Sequence, residues 1–307
     1  MWVIQHRNWI IGIIGTIMFA ALLLTFFWQA NLSIEFTGGT VVQGEYTDTR
    51  PSIDQIKEFS GPLDLNLLKI QPLGEKGVVV RLKALTQEEH NNLVTQLSDG
   101  TNEFKETSLS TVGPSVGKEL RSKAIISIIL VLILIILFVT YAFRSVSSVV
   151  SSWKYGIVVV ITLIHDIFVP TGVFVALSHY FVGYEIDTLF VTALLAILGY
   201  SVADTIVVFD RIRENLKNGL PKGNPSGSQG LPLESPFAEV VGRSLHETYV
   251  RSINTSLTTI LASLAIFFFG GEVTKHFALV LAVGIAAGTY SSILLASPLL
   301  VLISSKK

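Results

Sequence analysis

Thr188-Leu-Phe-Val-Thr-Ala-Leu-Leu-Ala-Ile-Leu-Gly199-Tyr-Ser-Val-Ala-Asp204-Thr-Ile-Val-Val-Phe209 is an apolar run with a single charged side chain, Asp204. A hydrocarbon core about 30 Å thick is crossed by about 20 such residues in a helix. A carboxylate inside such a run is costly; it is expected to face a bundle interior and to mark an ion or proton path. Arg211 marks the aqueous boundary beyond the run. At about 1.5 Å per residue, that puts Asp204 about 10 Å inside, too deep for its short side chain to snorkel out. Gly199, Ser201 and Ala203 precede it, and Gly199-x-x-x-Ala203 predicts close approach of a neighbouring helix.

Working outward, five further runs have the same character: 9–28, 124–143, 155–177, 253–270 and 277–303. Those at 9–28 and 124–143 are free of charge, 155–177 contains His165 and Asp166, and 277–303 has Pro298 near its end. Half of the 307 residues are hydrophobic and only 15% are charged, against about a quarter in soluble domains. The first run is longer than the usual h-region of about 7–15 residues and no A-x-A site follows it, so it reads as a retained span rather than a cleaved signal. The net charge of -1 gives no field for nucleic acid. With no cysteine, disulfide frameworks, thiol nucleophiles and zinc–thiolate sites are excluded, and nothing points to a cofactor, a metal or a catalytic residue.

Arg7, Arg144, Lys154, Arg211, Arg213, Lys217, Lys222, Arg243, Arg251, Lys306 and Lys307 fall on one side of the six spans, and the short loops opposite offer only Lys275. By the positive-inside rule both termini are cytoplasmic and segment 30–123 lies outside. The organisation expected is a first span in 1–29, an extracytoplasmic domain at 30–123, spans two to four in 124–209, a cytoplasmic loop at 210–252, and the last two spans with a short tail at 253–307.

In the external segment, Ile34 and Phe36 begin a strand-like alternation that resumes at Thr40-Val41-Val42 after Gly38-Gly39. Ile53, Ile56 and Phe59 have helical spacing behind Ser52 as N-cap. Stretches 67–73 and 78–82 read as strands joined by the turn Gly74-Glu75-Lys76-Gly77. Thr86 and Glu89 form a capping box for a second helix, and a last strand covers 103–112. The order β-α-β-β-α-β is the split βαβ, or ferredoxin-like, arrangement, with both helices on one face of the sheet. His90 reads as a solvated residue on a polar helix face. Gly38-Gly39 does not fit a phosphate-binding loop and reads as a bulge or turn.

The fifth run opens Arg251-Ser-Ile-Asn-Thr-Ser-Leu-Thr-Thr259. Arg251, Asn254 or Thr255, and Thr258 or Thr259 share a helical face: a polar ladder with a counter-charge for Asp204, beside which Thr205 is a further polar neighbour. Arg keeps its proton, so Asp204 is the titrating partner. Asp166 is a second candidate, with His165 orienting it and Pro170 removing the helical donor to its carbonyl. A structural polar lock between helices is the alternative for all of these groups. Gly284-x-x-x-Gly288, followed by Ser291 and Ser292, reads as a close-packing face. Residues 218–236 are rich in Gly, Pro and Ser and read as a flexible loop, and 234–249 as an amphipathic helix along the membrane surface.

Several of these stretches together resemble the SecF branch of the SecD/SecF protein-export family. They are Glu35-Phe-Thr-Gly-Gly39, Val112-Gly-Pro-Ser-Val-Gly-Lys-Glu-Leu120, His165-Asp166, Gly199 through Asn215, Arg251-Ser-Ile-Asn-Thr-Ser-Leu-Thr-Thr259 and Phe269-Gly-Gly271. The resemblance covers nearly the whole chain. It implies a half-bundle of the RND type, pairing with SecD, association with the SecYEG channel and the SecA motor, and use of the proton gradient to draw translocating polypeptide outward. It implies a bacterial cytoplasmic membrane, contact with lipid, and no enzymatic activity. The key acid and arginine map onto Asp204 and Arg251. The chain departs from the pattern in His246-Glu-Thr-Tyr-Val-Arg251, where Asn-Gln-Thr-x-x-Arg is expected, and in the long loop at 218–236. Rival readings are an RND-type exporter half, a scaffold without proton chemistry, and an intramembrane aspartyl protease using Asp166 and Asp204. The protease reading conflicts with the His-Asp and Ser-Val-Ala-Asp contexts.

Overall fold

The computed structural model describes residues 2–28, 30–59, 69–98, 102–144, 150–181, 183–218 and 236–305. The glycine-rich loop and the first residues of the strand expected at 67–73 lie outside the described residues. In chain order the elements are α1 (Trp2–Gln5), α2 (Arg7–Phe27), α3 (Ile34–Thr37), β1 (Gly39–Tyr46), α4 (Ile53–Phe59), β2 (Lys69–Leu73), β3 (Gly77–Leu82), α5 (Gln87–Leu97), β4 (Phe104–Val112), α6 (Pro114–Ala142), α7 (Ser152–Tyr180), α8 (Thr188–Lys217), α9 (Pro236–Phe269), α10 (Glu272–Ser291), a π-helical turn (Ser292–Ala296) and α11 (Ser297–Ser305). Among the described residues, six helical segments, the last running from α10 into α11, are long and apolar enough to cross a membrane. The protein is a multi-pass membrane protein with one small α+β domain.

The chain divides into two compact units, one of Met1–Gln29, Ser127–Ala176 and Leu189–Lys307, the other of Ala30–Ile126 and Leu177–Thr188.

The second unit is built on a four-stranded antiparallel sheet in the order β2-β3-β1-β4. Alternation sends Val42 and Tyr46 of β1 and Val78, Val80 and Leu82 of β3 to one face, where they meet Ile56 of α4 and Leu93 and Leu97 of α5. Both helices start as expected: Ser52 and Gln55 cap one another reciprocally, at 3.3 and 2.9 Å, and Thr86 and Glu89 form a complete capping box. The strand reading at Ile34 and Phe36 is corrected. Ser33 accepts the N–H of Glu35, and residues Ile34–Thr37 form one helical turn, so a local cap overrides a weak alternation. Gly38 ends this turn at φ 73° and Gly39 opens β1 at φ 135°. A Cβ on either would lie within 2.8 Å of backbone, at Pro114 Cα and at the Leu82 carbonyl respectively. His90 is also corrected: its Nε2 lies 2.6 Å from Glu106 Oε2 of β4, so it is paired across to the sheet rather than merely solvated.

The connection 177–188, whose sequence reads only as a short loop, belongs to this unit. Leu32 and Ile186 form a parallel bridge, with Ser33 N–H donating to the Ile186 carbonyl at 3.0 Å and Ile186 N–H to the Asn31 carbonyl at 2.8 Å. Arg81 of β3 pairs with Glu185, both about five-sixths shielded from solvent. Thr188 donates its N–H and its hydroxyl to Glu35 Oε2, at 2.8 and 2.6 Å, which gives the first residue of α8 an acidic cap.

In the first unit, one core joins Val158, Val159 and Leu163 of α7, Leu198, Val208, Phe209 and Ile212 of α8, Val241 and Leu245 of α9, and Leu300 of α11. The separate surface helix expected at 234–249 is not formed. α9 is continuous from Pro236 to Phe269, and Ala238, Val241 and Leu245 are buried with Ile212 and Leu216. Glu247 accepts Arg211 Nε at 2.6 Å and Asn215 Nδ2 at 3.0 Å, tying the end of α8 to this stretch. Over the described residues 236–249 the periodicity is therefore a core-facing stripe rather than a membrane-facing one.

Candidate functional site

The site is a seam between α8 and the sixth span. A Cβ on Gly284 would collide with the Ile197 side chain, and one on Gly288 would come within 2.9 Å of Ser201 Cβ. Next along the same two helices, the Ser292 hydroxyl contacts Asp204 Oδ2. Small residues on α10 thus allow the approach that brings Ser292 onto the acid. The Gly199 expectation is corrected: an added Cβ there would meet nothing within 4 Å, and Gly199 and Ala203 face outward from this bundle.

Asp166 and His165 of α7 are fully buried. Ser201 Oγ contacts Asp166 Oδ2, His165 Nδ1 lies 2.8 Å from Asp166 Oδ1, and the Tyr290 hydroxyl is 2.9 Å from His165 Nε2. Both carboxylate oxygens of Asp166 therefore have partners. Among the described residues, Asp204 has one hydrogen bond of good geometry, from the Ser292 hydroxyl. The buried Ser252 of α9 adjoins it, but the Ser252 hydroxyl, like that of buried Ser256, completes no hydrogen bond of good geometry among the described residues. Thr205 is buried and spends its hydroxyl on the Ser201 carbonyl at 3.0 Å.

Arg251 forms no ion pair with Asp204 among the described residues and is exposed, as are Asn254, Thr255 and Thr258. The ladder foreseen on α9 exists, with Thr255 and Thr258 bonding the Arg251 and Thr255 carbonyls at 2.9 and 2.8 Å, but it is the outer face. The inner face is Ser252 and Ser256, which sequence reasoning passed over. Their i, i+4 spacing was the available signal. Ser201, Tyr290 and Ser292 were likewise missed as members of the network.

A family profile described as "Protein export membrane protein SecD/SecF, C-terminal" matches residues 93–306. The chain belongs to the SecD/SecF family. It is 38% identical over 283 residues to the protein translocase subunit SecF of Thermobaculum terrenum, covering 88% of this chain and 84% of that one. It is 36% identical over 296 residues to that of Sebaldella termitidis, covering 95% of this chain and 88% of the relative. The crystal structure of SecDF, a translocon-associated membrane protein from Thermus thermophilus, superposes with a TM-score of 0.78 at 31% identity, over 99% of this chain and 38% of that one. The chain thus spans well under half of that SecDF, and as a SecD/SecF family member it corresponds to a single portion of the fused protein.

Proposed function

We propose that this chain is the SecF-type half of a membrane device that assists Sec-dependent protein export, works with a SecD-type half, and draws on the proton gradient through Asp204. Support for the Sec role comes from the SecF names of its relatives. Support for a SecD-type partner comes from the Thermus thermophilus SecDF, of which this chain covers 39%. The observation that carries the proton reading is the contrast between two intramembrane acids. Asp166 has a hydrogen-bonding partner on each oxygen, His165 and Ser201, and is suited to a structural lock. Among the described residues Asp204 has one hydrogen bond of good geometry, from Ser292, and adjoins Ser252, whose hydroxyl completes none. A buried polar group of that kind calls for a mobile partner, water or a proton.

Arg251 lies on the outer face of α9, so its counter-charge role is directed to the partner half or to water rather than to Asp204 in the state seen. The chain acts by binding and movement, with no catalytic group, cofactor or metal. It sits in the bacterial cytoplasmic membrane with both termini inside and 30–123 outside, and it meets SecYEG, SecA and the emerging polypeptide as part of the assembled complex.

Gradient-dependent export of a secretory protein into membrane vesicles, with the SecD-type half co-expressed, tests this reading. Asp204→Asn is expected to abolish stimulation by the gradient while co-purification of the two halves persists, and Asp166→Asn to lower the yield of the complex. Unchanged stimulation in Asp204→Asn would leave the chain as a scaffold.

A further inference from the structure

Ser292 occupies an unusual place. It is the first residue of the π-helical turn Ser292–Ala296 that interrupts the sixth span, and its hydroxyl has two acceptors in reach. One is Asp204 Oδ2 on α8; the other is the Thr289 carbonyl on its own helix, at 2.9 Å. A hydroxyl has one proton to donate, so it serves one acceptor at a time. The turn precedes Pro298, which has no N–H to return to the preceding turn, and π turns of this kind recur at functional sites. The Ser292 carbonyl also has the Ser297 hydroxyl at 3.5 Å.

We propose that Ser292 reads the protonation state of Asp204 and passes it to the backbone of the sixth span. The proposal rests on Asp204 being the proton site. With Asp204 ionised, the Ser292 O–H donates to Oδ2. With Asp204 protonated, the acid O–H donates to Ser292 Oγ, and the Ser292 O–H turns to the Thr289 carbonyl. No bond to carbon changes; one proton arrives on Asp204 and one hydroxyl rotates. The rotation adds or removes a hydrogen bond at the junction where α10 gives way to the π turn, and so biases the turn between π and α registers. The other titratable groups of the network are Asp166 and His165 of α7 and Tyr290 of α10. α9 contributes Ser252 and turns Arg251 outward, and α2 contributes the apolar Ile10, Ile11 and Ile14 beside Leu295 and Ala21 beside Ala287 and Tyr290.

The test uses the chain in complex with its SecD-type half. Infrared difference spectra between low and high pH, with the Asp204 carboxyl band assigned by its loss in Asp204→Asn, report protonation. Backbone hydrogen exchange at 292–297, measured over the same pH range, reports the turn. In the wild type the exchange change is expected to follow the Asp204 band. In Ser292→Ala the Asp204 band is expected to persist at a shifted frequency, while the pH-dependent change in exchange falls by up to about tenfold, the upper size of one neutral hydrogen bond such as that to the Thr289 carbonyl. Ser292→Thr, which keeps the hydroxyl, is expected to restore both. Exchange in Ser292→Ala that still follows the Asp204 band would overturn the role of Ser292 alone. No titrating Asp204 band in the wild type would overturn the proton reading beneath it.

Discussion

Two glycine pairs separate what a missing side chain does for geometry from what it does for packing. Gly38 and Gly39 are needed for their positive φ and for backbone within 2.8 Å of where a Cβ would stand. Gly39→Ala combines both penalties and is expected to destabilise the small domain by about 1–3 kcal/mol, seen as faster exchange of β1 amides. Gly288 is needed only for space, with Ser201 Cβ 2.9 Å from the added atom. Gly288→Ala is expected to push Ser201 off Asp166 and lower the thermal midpoint of the solubilised chain, in the range of about 1–3 kcal/mol typical of overpacking. Gly199→Ala meets open space and is expected to hold or raise that midpoint, since Ala favours the helix over Gly by up to about 1 kcal/mol. A larger loss at Gly199 than at Gly288 would reverse the assignment of the packing seam. The sequence marks both motifs as small-xxx-small. It cannot tell which of them faces a helix of the same chain, because that depends on how α8 is rotated in the bundle.

At the level of elements, strong local signals survived folding and weak ones did not. The N-cap at Ser52, the capping box at Thr86 and the turn at Gly74 were legible because each involves residues within a few positions of one another; the return bond from Gln55 to Ser52 was not read. Glu89 shows the physical effect: the Thr86 N–H, then Lys83, hold its carboxyl below the usual 4.5. A carboxylate whose folded value is depressed stabilises above the unfolded value and ceases to do so as pH falls through the folded one. Protection of the α5 amides, corrected for intrinsic exchange, is therefore expected to fall as pH drops below about 4.5, and Glu89→Gln is expected to flatten that dependence. An unchanged profile in Glu89→Gln would assign the loss to another group. The continuity of α9, the helical turn at Ile34–Thr37 and the docking of 177–188 were not legible. The continuity of α9 and the docking of 177–188 are decided by partners distant in sequence, Ile212 and Asn215 for α9, Ile186 for Ser33 and Arg81 for Glu185. The turn, by contrast, is set by the local Ser33 cap on Glu35, which a reading for alternation passes over. Six apolar runs announce a membrane protein, but which polar face of α9 points inward is a tertiary fact. The ladder that looked like a partner for Asp204 proved to be the outer one.

That outer face bears on the whole molecule. Arg251, Asn254, Thr255 and Thr258 of α9 and Gly199 and Ala203 of α8 are exposed here, on helices long and apolar enough to span a bilayer. A guanidinium and a row of polar groups facing lipid would be costly, whereas facing another helix or a water-filled cleft they are not. The SecDF of Thermus thermophilus, of which this chain matches 39%, carries enough additional chain to supply such a cover. On the proposed function, the small outer face of α8 is where the SecD-type half is expected to approach. Replacing Ala203 by Trp is therefore expected to leave the isolated chain as stable as the wild type, since the side chain enters open surface, while lowering co-purification of the partner half several-fold. Arg251→Ala is expected to leave assembly largely intact and to remove gradient-stimulated export, because its charge is needed by the coupled pair rather than by this half's fold. If Ala203→Trp assembles normally and Arg251→Ala destabilises the isolated chain, the outward face is lipid-exposed and Arg251 belongs to this half's own packing.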